Sequence, residues 1–99
     1  MVYLQEEVFV NISGIKFRAM FGGYGVYKDD KIFGMVANDV LYFKVNENNK
    51  PDYKKFGSKP FTYSKNGKSY AMSYWEVPEF VLSNVEELES WMNKSLNIK

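Results

Sequence analysis

A chain of 99 residues, 45% apolar and 25% charged, has the size and composition of one folded domain with a single core, neither disordered nor split in two. It holds no cysteine and no histidine, which excludes disulfides and thiolate chemistry and removes the commonest general base and metal ligand. Net charge is +1, and Arg18 is the one arginine beside twelve lysines, so the chain is poorly equipped for bidentate phosphate or guanine recognition.

Taken in order, residues 3–12 read as a short helix, since Leu4, Val8 and Ile12 recur at four-residue spacing and Gly14 is a natural stop. Val8, Val10 and Ile12 also alternate, as a strand would. Residues 15–28 read as strand, interrupted at Gly22 and Gly23. Two further strands follow, 32–37 and 40–45, with turns at Asp29-Asp30 and Asn38-Asp39. Two-residue hairpins at both turns put Tyr27, Ile32, Val36, Leu41, Phe43 and Val45 on one face, with Gly25 opposite Gly34 as a shallow pit. The other face then carries Tyr24, Val26, Phe33, Met35, Tyr42 and Lys44, which is unusually apolar for a surface meeting water.

Asn49 is placed to cap a brief helix with Pro51 in its first turn, Tyr53 and Phe56 turned inward and Gly57 past its end. The strongest hairpin signal is 61–65, Asn66-Gly67, then 68–75. Its pairing sets Tyr63 opposite Tyr70 and gathers Phe61, Tyr63, Tyr70, Met72 and Tyr74 on the side expected to face inward. Pro78 opens one helical turn. Asn84 with Glu87 makes a capping box for a last helix whose stripe is Val85, Leu88, Met92 and Ser95-Leu96, with Trp91 beside it. With 18% aromatic residues, the core is expected to be built on rings. The fold expected is α+β: a mostly antiparallel sheet of about five or more strands, helices on one face and a C-terminal helix, as one domain over residues 1–99. No long apolar run and no basic-then-apolar N-terminus is present, so neither a membrane span nor a signal peptide is expected.

Chemistry is thinly marked. Glycines 22, 23 and 25 lie between Met20-Phe21 and Tyr24, but the sequence lacks the spacing of a dinucleotide fingerprint and the Lys-Ser/Thr end of a P-loop. A ligand or enzymatic reading would use that bend, with Arg18 as anion contact and Tyr24 or Tyr74 as ring platform. Glu76 with Glu79 could form a carboxylate pair, and Asp29, Asp30 and Asp39 a cation site, yet the first fits exposed acids after a strand and the second fits turns. The serines have no base to activate them. No catalytic, cofactor or metal residues are assigned. Residues 44–68 hold seven lysines against Glu47 and Asp52, and 76–89 hold five glutamates and no lysine. Lysines from Lys44 to Lys68 interleave with Tyr53, Phe56, Phe61 and Tyr63, the one pattern for single-stranded nucleic acid. Those rings are needed for the core, which argues against it.

The run Arg18, Ala19, Met20, Phe21, Gly22, Gly23, Tyr24, Gly25, Val26, Tyr27 resembles the opening signature of the TfoX N-terminal domain family, that of the Sxy/TfoX competence regulators. Leu41-Tyr42-Phe43-Lys44-Val45, Pro60-Phe61-Thr62-Tyr63, then Ala71 to Pro78 through Tyr74, Trp75 and Glu76, and Leu88-Glu89-Ser90-Trp91 are similar to later family blocks in the same order. The resemblance implies an α+β domain of a bacterial cytoplasmic protein and a non-enzymatic, co-activator-type role in switching on DNA-uptake genes beside a transcription factor. Longer members of that family carry a second, C-terminal domain, and in this respect the sequence departs from them, so a stand-alone member is expected. The interaction face expected from the residues is Tyr24, Phe33, Met35 and Tyr42, offered to a protein partner such as the transcription machinery or to a second copy as a homodimer.

Overall fold

The computed structural model describes residues 3–20 and 22–98. Six strands form one antiparallel sheet: β1 (Ile15–Met20), β2 (Gly23–Lys28), β3 (Lys31–Ala37), β4 (Val40–Lys44), β5 (Pro60–Lys65) and β6 (Lys68–Glu76), in the spatial order β1-β2-β3-β4-β6-β5. The helices are α1 (Lys50–Lys55), α2 (Glu79–Leu82) and α3 (Val85–Leu96). The α+β reading and its C-terminal helix hold.

Three hairpins close on residues that tolerate positive φ. Asp29 and Asp30 sit at 49° and 70°, Asn38 and Asp39 at 52° and 63°, and Asn66 and Gly67 at 54° and 75°. Positive φ at both central residues matches the right-handed twist of the flanking strands. The aspartates expected as a possible cation site are thus turn residues, and Asp30 lies 3.5 Å from both Lys16 and Arg18.

One register expectation fails, with large consequences. Tyr27 faces Ile32 and Val26 faces Gly34, so Phe33 is an extra residue in β3, a bulge. A one-residue shift moves every following side chain to the other face. Gly25 therefore opposes Met35, not Gly34, and the expected glycine pit does not exist. Val26 and Phe33 turn toward the helices and are fully buried, while Tyr27 and Ile32 join Met35 and Tyr42 on the far side. Beyond the bulge, β3 and β4 keep the expected faces, with Val36, Leu41, Phe43 and Val45 inside.

The core lies between the sheet and α3, which packs on β3 and β4 through Leu88, Trp91, Met92 and Ser95. Phe33 meets Phe43 and Phe9 edge-on, with ring centroids 5.4 and 6.1 Å apart. Asn84 caps α3, its Oδ1 accepting from the Glu86 and Glu87 amides at 3.0 and 3.2 Å. The Glu87 carboxylate accepts from the Trp91 indole at 3.2 Å. Val85, at the first helical position, is exposed and not part of the buried stripe. At the N-terminus the helix is one turn of π-helix, Leu4–Val8, closed by the Phe9 amide donating to the Leu4 carbonyl.

Around α1 two expectations change. Asn49 makes no side-chain cap; it is buried, accepting from the Asn46 amide and donating to the Lys44 carbonyl at 2.8 and 3.0 Å. Phe56 is half exposed and leans on Phe80, 4.7 Å between centroids. Tyr53 does point inward, 4.7 Å from the Trp91 ring, and its hydroxyl has no hydrogen-bond partner among the described residues. Burial pushes its pKa far above the ordinary 10.0; nearby Ser95 offsets this in part and Asp52 adds to it.

With no hydrogen bond to lose among the described residues, Tyr53→Phe is expected to stay within about 1 kcal/mol of wild type at neutral pH, a Tm change of no more than roughly 4–8 °C in calorimetry. Because the folded chain holds the Tyr53 proton more tightly than the unfolded chain, stability is whole below pH 10.0 and falls as pH climbs toward the folded value. The variant should unfold at higher pH than wild type in an alkaline titration.

Candidate functional site

Among the described residues the helices cover one side of the sheet and leave the other open. Cross-strand pairs define the open side in rows: Met20, Gly23, Ala37 and Val40; then Arg18, Gly25, Met35, Tyr42 and Glu76. Lys16 lies beside Tyr27 and Ile32, and Lys44 beside Tyr74. Alternation along the last hairpin adds Phe61, Met72, Tyr63 and Tyr70, with Lys65 and Lys68 at its tip. Tyr63 and Tyr70 are 45% and 42% exposed, so the ring face read as inward is in fact outward. Its reverse side carries Thr62, Ser64, Ser69, Ala71 and Ser73, which offer a helix little to pack on. Trp75 alone reaches the helix side as a large residue, 6.5 Å from the Tyr53 ring.

On this face lies an open trough of about 450 Å³. Met20, Gly23, Met35 and Ala37 form one wall, and Phe61, Tyr63 and Met72 the other. Tyr42 meets Phe61 edge-on at 5.3 Å, and Tyr63 stacks on Tyr70 at 5.5 Å. Burial, then the Glu76 carboxylate opposite, raises the Tyr42 pKa; burial, then Tyr27, raises that of Tyr74.

Of the expected interaction face, Met35 and Tyr42 are on the open side. Tyr24 belongs by register to the helix side, yet is 38% exposed and contributes to the trough wall. Phe33 is overturned as a contact residue, since the bulge buries it completely. Met20, Phe61, Tyr63 and Met72 line the trough although the sequence pattern did not place them on this face; the small, polar reverse of the last hairpin was the available signal.

Among the signature residues, Phe21 lies outside the described residues. Gly22 turns between β1 and β2 at φ +69°, and a Cβ on Gly23 would sit 2.0 Å from the Val36 carbonyl oxygen. The bend thus joins two strands with no helix N-terminus behind it, and its glycines serve close strand packing. Arg18 stands over the Tyr27 ring, 5.1 Å from its centroid, and beside Asp30, so its charge is already shared. Glu76 is exposed opposite Tyr42, and Pro78 precedes α2. Of the rings proposed for nucleic acid, Tyr53 is core, while Phe61 and Tyr63 are on the open face; the core-based objection to them does not stand. Among the described residues no group of three acidic side chains is placed to hold a metal, and no helix is long and apolar enough to cross a membrane.

The molecule is an α+β domain whose antiparallel sheet is roofed by helices on one side and bears rings and methionines on the other. Its residues 7–98 match the family model described as TfoX N-terminal domain, and the chain belongs to that family. It is 29% identical over 96 residues to Protein Sxy of Escherichia coli (strain K12). That alignment takes in 97% of this chain and 46% of the relative, so the chain spans about half the relative's length.

Proposed function

We propose that this chain is a cytoplasmic, non-enzymatic regulatory domain that acts by protein contact through its open sheet face, within the competence role associated with the Sxy/TfoX family. The observation that carries this reading is the uncovered face itself. Among the described residues no helix packs on the rings and methionines there, and such residues anchor interfaces. Residues 1–99 act as one domain in this reading, and the partner is a component of the transcription machinery.

The test is complementation in a host lacking its own copy, with transcription of DNA-uptake genes as readout. Wild type should restore expression, whereas Met35→Lys and Tyr42→Thr should lose most of it at unchanged protein abundance. Tyr42→Glu is the poorer variant, because the new carboxylate would oppose Glu76. Full restoration by both variants would remove the face from the mechanism. Failure of wild type would remove the competence role.

A further inference from the structure

We propose that the occupant of the open face is an acidic amphipathic segment of a partner protein, with apolar side chains in the trough and carboxylates against the lysines around it. This rests on the reading that the face docks a protein, and adds the chemistry of what docks. Three of the chain's five methionines, Met20, Met35 and Met72, line the trough. Unbranched, polarisable side chains adapt to an inserted apolar residue without a fixed shape. At about 450 Å³ the trough accepts large side chains, while its walls offer hardly any polar atoms to orient a small ligand.

The charge on this face is one-sided. Lys16, Arg18, Lys44, Lys65 and Lys68 lie on it by register, against the Glu76 carboxylate. Asp30 takes up part of the charge of Lys16 and Arg18, at 3.5 Å from each. Lys44, Lys65 and Lys68 make no ion pair among the described residues. Lys65 and Lys68 face each other across the hairpin tip, next to the Tyr63 and Tyr70 pair. Like charges side by side with no counter-charge are a cost that an acidic partner relieves.

The same charges disfavour the two other occupants of such a face. In a symmetric dimer the same patch faces itself, residue i against residue j, so a face with five cations and one carboxylate opposes net positive charge with net positive charge. Single-stranded nucleic acid needs rings with free faces for stacking. Here Tyr63 and Tyr70 stack on each other, which takes up one face of each, and Tyr42 meets Phe61 edge-on.

The experiment is an NMR titration of the isotope-labelled chain with two synthetic peptides. Both carry leucine and phenylalanine at the same positions; one has glutamate elsewhere and the other lysine. An oligothymidylate is the third probe, and sedimentation reports self-association. The glutamate peptide should shift the signals of Met20, Met35, Phe61, Tyr63 and Met72. Its affinity should fall about tenfold in the Lys65→Glu, Lys68→Glu double variant, less in the Lys65→Gln, Lys68→Gln variant, and also with rising salt. Both lysines are exposed at a turn, and the wild-type spectrum outside the tip reports whether each variant is folded.

Equal binding of the lysine peptide, indifference to the lysine variants, or no binding of the glutamate peptide overturns the proposal. So does tighter binding of the oligothymidylate at the same signals, or a dimer that buries the trough. The complementation assay stays separate: loss of function in Met35→Lys together with a negative titration would keep the docking face and discard its acidic occupant.

Discussion

Phe33→Ala is expected to cost about 3–5 kcal/mol of stability, the range for emptying a buried aromatic site. Small domains hold only about 5–15 kcal/mol in total, so the variant should be close to unfolding at physiological temperature. The reason is local: Phe33 is wholly buried and sits edge-on between Phe9 and Phe43. Met35, two residues on, points to the open face and lines the trough. Met35→Ala should cost about 1 kcal/mol or less, as substitutions away from the core do. Urea denaturation of the two variants reads the difference as a shift in midpoint at similar slope. Equal costs would mean that the bulge at Phe33 is absent and that the faces are assigned wrongly.

Gly23→Ala is expected to cost about 3 kcal/mol or more, at the upper end for overpacking, although alanine is the smallest possible addition. The new Cβ would lie 2.0 Å from the Val36 carbonyl oxygen, an atom of the main chain of β3 that moves only if the strands part. Gly22 is the control. It has φ +69° and open space around the missing Cβ, so Gly22→Ala carries only the backbone cost of about 1–2 kcal/mol. The two adjacent glycines thus serve different ends, one clearance and the other angle. Thermal melts of both variants check this, and a Gly22 variant as unstable as the Gly23 variant would sink the distinction.

Much of the strand order was legible because the turns announce themselves. Asp29-Asp30, Asn38-Asp39 and Asn66-Gly67 are residues that accept positive φ, and all three hairpins fall where they stand. Asn84 marked the start of α3 for a similar reason, a side chain suited to the first free amides. Faces were harder. Val26 and Tyr27 are both apolar, as are Ile32 and Phe33, so alternation could not reveal an extra residue in β3. Of the four residues expected on one face, Met35 and Tyr42 do lie on the open side, because they come after the bulge in β3 and in β4. The last hairpin was paired correctly at Tyr63 and Tyr70 but turned the wrong way, since burial of rings was assumed and no helix among the described residues reaches them. Asn49 looked like a cap from its neighbours in sequence; only the fold brings the Lys44 carbonyl to its amide.

The pairing of β4 with β6 runs over Tyr42, Phe43 and Lys44 opposite Glu76, Trp75 and Tyr74, a narrow seam between two ribbons. Strands β1 to β4 form one ribbon and β5 with β6 the other, and the trough straddles the join, with walls drawn from both. Whatever grips both walls therefore clamps the ribbons together, so occupancy and cohesion draw on the same contacts.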